Sequence, residues 1–232
     1  YAGAGDMARL RFAQLAATSG YEVKRVEVRG VERMSELKVY ERVLGERNRA
    51  MTELDIASLR QSLLELPYVK DARIVRQLPD GLVVDIVERQ PHAVLRDGER
   101  LLLIDEEGHR LQPLRGDVPE GMIVLAGEGA AAKVGDLDRL LAAASDLQGQ
   151  VVGAEWVGNR RWNLTFATGQ NLALPQGPDR AAGALVSFAR LDGVNGLIGG
   201  QVAAFDMRSP ERIYMRVPGR AAEARALAQE GT

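Results

Sequence analysis

Residues 69–88 read Val69-Lys70-Asp71-Ala72-Arg73-Ile74-Val75-Arg76-Gln77-Leu78-Pro79-Asp80-Gly81-Leu82-Val83-Val84-Asp85-Ile86-Val87-Glu88. Pro79-Asp80-Gly81 is turn chemistry: proline presets its own φ, aspartate bonds the nearby backbone, and glycine takes a positive φ without penalty. The flanking runs, 70–77 and 82–88, are rich in Val and Ile and read as two strands of a hairpin. Upstream, Asp55 stands at a cap position before Ile56, Leu59, Leu63 and Leu66, an apolar stripe at helical spacing closed by Pro67. Before that, Ser35 precedes a short helix carrying Leu37, Tyr40 and Leu44, and a loop through Gly45 and Asn48 follows it. Val26 and Val28 alternate with Glu27 and Arg29 as a half-buried strand stopped by Gly30. The order from Val23 to Glu88 is strand, helix, helix, strand, strand. A helix capped by Asp6, with Met7, Leu10 and Leu15 on one face and Gly20 at its end, is expected ahead of this set.

Beyond Pro91 the texture changes to short strands with regular turns. Strands are expected at 93–96, 101–104, 122–125, 151–157, 161–166, 171–174, 202–206 and 213–217. Gly158-Asn159 and Thr168-Gly169 supply hairpin turns. Two helices interrupt them. One is capped by Asp136 and presents Leu137, Leu140, Leu141, Ala144 and Leu147. The other is capped by Asp179 and presents Ala181, Ala184, Leu185, Phe188 and Leu191. A charged tail begins at Gly219.

Bulk properties narrow the function. A chain of 232 residues, 46% hydrophobic, has the material for a sizeable core. Its 30 basic and 32 acidic residues leave a net charge of −2, which argues against nucleic acid as a partner. With no cysteine, disulfides, thiolate metal sites and cysteine nucleophiles are excluded. No run of about 18 apolar residues appears. The first residue is Tyr1 rather than Met, so the chain reads as a fragment, which leaves room for an upstream membrane anchor.

No catalytic residue, metal ligand set or cofactor site emerges. His92 and His109 lie far apart, without metal-ligand spacing, and His109 reads as a solvated turn histidine. Asp105, Glu106 and Glu107 sit in a polar turn where water is expected to solvate all three. Gly193-Val194-Asn195-Gly196 and Gly199-Gly200 read as a connection between helix and strand, not as a phosphate loop. Asp206-Met207-Arg208 carries more. Residues 206 and 208 share a strand face, and two readings stand level: a surface ion pair of little energetic weight, or a guanidinium presented to a partner's carboxylate.

Several stretches resemble one family. Val26-Glu27-Val28-Arg29-Gly30 resembles the first strand of a POTRA domain. Leu66-Pro67-Tyr68-Val69-Lys70-Asp71-Ala72 is similar to LPWVxxA, Pro79-Asp80-Gly81-Leu82 to PxxL, and Glu88-Arg89-Gln90-Pro91-His92-Ala93 to ERxPxA. Leu103-Ile104-Asp105-Glu106-Glu107-Gly108 resembles LIDxxG, and Asp206-Met207-Arg208 resembles DLR. The ordered set resembles the FtsQ/DivIB family of bacterial cell-division proteins. Three departures stand out. Tyr68 replaces the family's tryptophan, Ser209 and Pro210 stand where an aromatic residue often follows DLR, and Leu174-Pro175-Gln176 stands where relatives often have Leu-Gly-Arg. Any partner contact made by that last arginine in relatives must differ here.

The resemblance implies an α+β chain: a juxtamembrane segment at 1–20, a small POTRA domain (β-α-α-β-β) at 21–90, a larger β-rich domain with helices packed on its sheet at 91–218, and a tail at 219–232. It implies a non-enzymatic scaffold of the divisome, held in the bacterial inner membrane by one N-terminal helix absent from this fragment. This region would lie in the periplasm and concentrate at the division septum. The implied partners are FtsB- and FtsL-type single-span proteins at the C-terminal strands, and other division proteins at the POTRA side. The expected site is Ile213, Tyr214, Met215, Arg216 and Val217, working by strand addition, with Tyr214 as aromatic anchor and Arg208 pairing an acidic partner residue. As the last strand it has no later strand to cover it, though an earlier one could. An ordinary edge strand blunted by the charged tail is the plainer reading. An alternative function is a POTRA-containing chaperone-like module for outer-membrane protein assembly or secretion, which would expect several POTRA repeats or a membrane barrel. An enzyme in the β domain finds no constellation to carry it. Residues 21–90 contain a full element set with its own apolar stripe. Expressed alone, the segment should melt in one cooperative transition with a thin stability margin. A non-cooperative melt by circular dichroism would count against the boundary at Pro91.

Overall fold

A computed structural model describes residues 22–45, 51, 53–209 and 212–218. The helix expected after Asp6, the loop at Asn48, Pro210 and the tail from Gly219 lie outside the described residues. The chain divides into two compact units that part between Gln90 and Pro91.

The first unit runs β1 (Arg25–Arg29), α1 (Glu36–Leu44), α2 (Ile56–Leu64), β2 (Val69–Gln77) and β3 (Gly81–Glu88). Its sheet order is β1-β3-β2, with β1 parallel and β2 antiparallel to β3. The central place of β3 explains its near-continuous apolar run. Leu82, Val83, Val84 and Ile86 are all buried, whereas edge strand β1 alternates half-buried and exposed residues. Asp55 caps α2, its Oδ1 accepting from Ala57 N and Ser58 N at 3.0 and 3.1 Å. Arg60 ties α2 to β2, donating from Nε to Ala72 O at 2.8 Å and from Nη2 to Asp71 Oδ1 at 2.6 Å. Leu59, Leu63 and Leu66 meet Ala72, Leu82, Val84 and Ile86 in the core.

The face of α1 differs from expectation. Val39 and Val43 are buried, while Leu37 and Leu44 are 60% and 50% exposed. The two valines lie at i and i+4 and turn to the sheet, so the leucines fall off that stripe. The stretch between β1 and α1 is held by Glu88, a nearly buried carboxylate that accepts from Arg33 N at 2.9 Å and Met34 N at 3.0 Å.

The second unit contains β4 (Ala93–Asp97), β5 (Arg100–Ile104), β6 (Arg110–Pro113), β7 (Val124–Ala126), α3 (Val134–Ala142), α4 (Ser145–Gln148), β8 (Val151–Val157), β9 (Arg161–Phe166), β10 (Asn171–Ala173), α5 (Pro178–Asn195), β11 (Ala204–Asp206) and β12 (Tyr214–Arg216). Among the described residues its nine strands form one sheet in the order β12-β11-β10-β9-β8-β7-β4-β5-β6. The registers line up Leu102, Leu95, Leu125, Ala154, Leu164, Leu172, Phe205 and Met215 as one cross-strand row. Most of that row lies in a core it shares with Leu137, Leu140 and Leu141 of α3 and Leu185 and Phe188 of α5. Phe188 stacks on Phe166 at 5.7 Å and meets Phe205 edge-on at 4.9 Å.

Several local expectations are corrected. The helix expected at Asp136 begins at Val134, and Asp136 sits in its first turn between Lys133 and Arg139, 3.0 Å from Lys133 Nζ. It breaks at Ala143 and Ala144 before α4, although all five of its expected apolar residues are buried. For α5 the cap position is Gly177, Pro178 takes the first helical position, and Asp179 follows within the first turn. Leu191 is exposed, and the helix runs through Gly193 to Asn195, where a left-handed Gly196 ends it. Strand β6 was not expected; its Gln112-Pro113 ending reads as loop. Pro113 pairs with Leu102 at that edge.

Gly30 ends β1 at φ +78°, and a Cβ there would stand 2.1 Å from Ile86 O. Gly30→Ala therefore combines left-handed strain with a backbone clash and should lower stability by about 2 kcal/mol or more. Denaturant unfolding followed by circular dichroism checks this; an unchanged midpoint would refute it.

Candidate functional site

The C-terminal end of the second unit is built around a return journey. Strand β11 pairs in parallel with β10, so the chain cannot reach it by a tight turn and travels through α5 instead. A buried glutamine in the β9–β10 connection receives it. Gln170 Nε2 donates to Leu197 O at 3.0 Å and Val202 O at 2.6 Å, and its Oε1 accepts from Thr168 Oγ1 at 2.8 Å and Gly199 N at 2.6 Å. Both donors and both acceptor positions of its side chain are committed, which is how a buried carboxamide avoids a desolvation cost. Asp192 adds a second tie, accepting from Ile198 N at 2.7 Å. Nothing in the sequence around Gln170 marks this role; only the approach of residues 197–202 reveals it.

Strand β12 then pairs antiparallel with β11, Met215 opposite Phe205 and Tyr214 opposite Asp206. It is the outermost strand of the order, and among the described residues no strand lies on its far side. Tyr214 is 55% and Met215 47% exposed, Arg216 is exposed, and Ile213 and Val217 are half-buried. The edge strand is shorter than the expected 213–217: Tyr214, Met215 and Arg216 form it, and Ile213 and Val217 flank its two ends.

Arg208 follows β11 on the face that carries Asp206. Its Nε donates to both Asp206 oxygens at 2.9 Å, its Nη2 to Oδ2, and its backbone N to Oδ1 at 3.0 Å. Of the two readings of Asp206-Met207-Arg208, the ion pair is present. It also holds the guanidinium in one orientation at the surface, with its side chain 54% exposed. The bonds from Arg208 hold Asp206 below the usual carboxylate range against an opposing effect of burial, and Asp206 in turn raises Arg208.

The groups set aside as chemistry behave differently from one another. Asp105 is 2% exposed rather than solvated. Its Oδ1 accepts from Glu107 N at 3.0 Å and His109 N at 2.8 Å, so it braces the turn between β5 and β6. One candidate ligand atom each from Asp105, Glu107 and His109 lie within 4.8 Å of one another, a grouping hidden in the sequence by the assumption that the turn is fully solvated. His92 is elsewhere, its Nε2 3.0 Å from Asp138 Oδ1 beside a cavity of about 110 Å³ lined by Ile123, Leu125, Val134 and Leu141.

Residues 21–89 match the FtsQ-type POTRA domain, and residues 93–208 match the C-terminal domain of cell division protein FtsQ/DivIB. The chain belongs to the FtsQ/DivIB family. It is 62% identical over 212 residues to the cell division protein FtsQ of Novosphingobium aromaticivorans, covering 91% of this chain and 66% of that protein. It is 36% identical to the FtsQ of Zymomonas mobilis, covering 86% of this chain and 66% of that one. The chain therefore spans just under two thirds of the length of these relatives. The FtsQ/DivIB match ends at Arg208, short of β12.

A depressed aspartate contributes stability above its ordinary pKa and loses it as pH falls through the folded value. Titration of the Asp206 carboxyl by NMR should give a midpoint below about 3.9, and Arg208→Ala should raise that midpoint. No change in Arg208→Ala would show that the pair is not formed in solution.

Proposed function

We propose that this chain is the partner-binding region of a non-enzymatic divisome scaffold, and that β12 is its principal docking edge. The observation that carries the reading is the place of β12 at the end of a nine-stranded sheet with its middle uncovered among the described residues. An open edge offers a row of backbone N–H and C=O groups to an incoming strand. Met215 continues the apolar row of the sheet one strand beyond Phe205 and stays half exposed, so an added strand would extend that row. Tyr214 supplies a broad aromatic contact and Arg208 a fixed guanidinium for an acidic residue of the partner.

The partners are FtsB- and FtsL-type single-span division proteins, and the POTRA domain at 21–90 serves other members of the divisome. The β domain at 91–218 carries the edge. The reading places the chain in the periplasm at the septum, held by an inner-membrane helix upstream of residues 1–20. Among the described residues no helix is long and apolar enough to cross a membrane.

Met215→Pro removes a backbone donor from the centre of β12. It should weaken binding of the FtsB-type partner's extracytoplasmic region at least about tenfold, roughly the loss of one or two good interface hydrogen bonds. The melting temperature should move little, since β12 is short and peripheral. Undiminished binding in a folded variant would sink this reading and make the POTRA domain the better candidate.

A further inference from the structure

Residues 105–109 close the turn between β5 and β6 with hydrogen bonds of their own. Asp105 N donates to His109 O at 3.1 Å, and Gly108 N donates to Asp105 O at 3.0 Å. The Asp105 side chain adds two more through Oδ1, which accepts from Glu107 N and His109 N. Gly108 takes a φ of +84°, and a Cβ there would stand 2.1 Å from Ala131 O, so the turn is seated against the backbone ahead of α3. The side chains of Glu107 and His109 stand on this fixed base.

The backbone bonds engage one oxygen of Asp105, and the other faces its neighbours. Asp105 Oδ2 lies 3.5 Å from His109 Nδ1, and Glu107 Oε2 lies 3.4 Å from the same nitrogen. Both distances exceed the roughly 2.7–2.9 Å of a strong charge-assisted hydrogen bond. They match a different geometry. A tetrahedral ion bound by nitrogen and oxygen at about 2.1 Å holds its ligand atoms about 3.4 Å apart. The remaining edge, from Asp105 to Glu107, lies within 4.8 Å, and a small rotation of the exposed Glu107 side chain brings it to the same length. Charge points the same way. Two carboxylates at close range, one of them buried, gain from a cation between them. The metal-binding form of imidazole is uncharged, so a dication balances the three side chains. A donor set of imidazole nitrogen and carboxylate oxygen suits zinc and its first-row neighbours, whereas magnesium and calcium take oxygen alone. The two N–H groups on Asp105 Oδ1 supply the outer contacts that orient a ligating carboxylate.

We propose that Asp105, Glu107 and His109 form a binding site for a first-row divalent cation of the zinc type. Asp105 Oδ2, one Glu107 oxygen and His109 Nδ1 are its ligands, and water takes the fourth position. The site stands apart from the docking edge at β12 and needs no partner protein. A bound ion ties three side chains of one turn to a single point and so steadies the pairing of β5 with the four-residue β6.

The test adds zinc chloride to the tag-free 232-residue chain after treatment with EDTA and dialysis. Calorimetric titration should give one ion per chain with a Kd of roughly 10 μM or tighter. Glu107→Gln and His109→Ala should each weaken binding at least about tenfold, since each removes one of three protein ligands. His92→Ala removes the other histidine and Glu106→Gln the adjoining acid, and both should stay within about threefold of wild type, the scale of a general field effect. Calcium should bind at least about a hundredfold more weakly than zinc. Melting temperatures without metal should stay close to wild type, because all four substituted residues are exposed. If His109→Ala melts early, His109→Gln replaces it with the same loss expected. Wild-type binding weaker than about 1 mM, wild-type affinity in either Glu107→Gln or the His109 variant, an equal loss in His92→Ala, or a preference for calcium would each overturn the site.

Discussion

One row of apolar side chains, from Leu102 through Leu125 and Leu164 to Phe205 and Met215, sets the register of the whole second unit. Each strand contributes alternate residues to it, and a slip of one residue anywhere would turn that strand's apolar set to the opposite face. Because α3 and α5 pack on the row, the opposite face is left to polar residues such as Asn163, Thr165 and Asn171. Parallel pairs at β7–β8 and β10–β11 make the helices obligatory, since each needs a crossover. The edge strand is thus the end product of a register chosen in the core.

Gln170 connects that register to the edge. Strands β11 and β12 have only three residues each, too few to hold their place by ladder bonds alone. The clasp on Leu197, Gly199 and Val202 fixes the chain just before β11. From there Phe205 enters the aromatic cluster and leaves Asp206 and Arg208 on the opposite face.

Much of this was legible in the sequence, and the misses have physical causes. The Pro79-Asp80-Gly81 hairpin, the Asp55 cap and the Gly158-Asn159 turn carry local chemistry that tertiary structure had no reason to override. The starts of α3 and α5 were read too late. Asp136 and Asp179 are as favourable in a first turn as at a cap, where the helix dipole welcomes an acid. The leucines of α1 are its more hydrophobic residues, but sheet packing selects the i, i+4 valine pair Val39 and Val43. The acidic neighbours of Asp105 point to a solvated turn, whereas backbone donors on the same turn permit burial of its carboxylate. The edge residues from Ile213 to Val217 were found from their position as the last strand. Gln170 was out of reach, since its partners lie in a loop with no pattern of its own.

The two rims of the large sheet are unlike. At the β6 rim, Pro113 has no N–H to lend, and Arg110 is engaged with Asp97 across 2.9 Å. At the other rim, among the described residues, β12 is open along its middle. A sheet with one open side and one blunted side can pair with a second copy only β12 to β12, and the blunted β6 rims then leave that pair no edge on which to grow. Such polarity favours a closed complex of fixed size over a growing ribbon, and it limits the stacking that open strands otherwise risk.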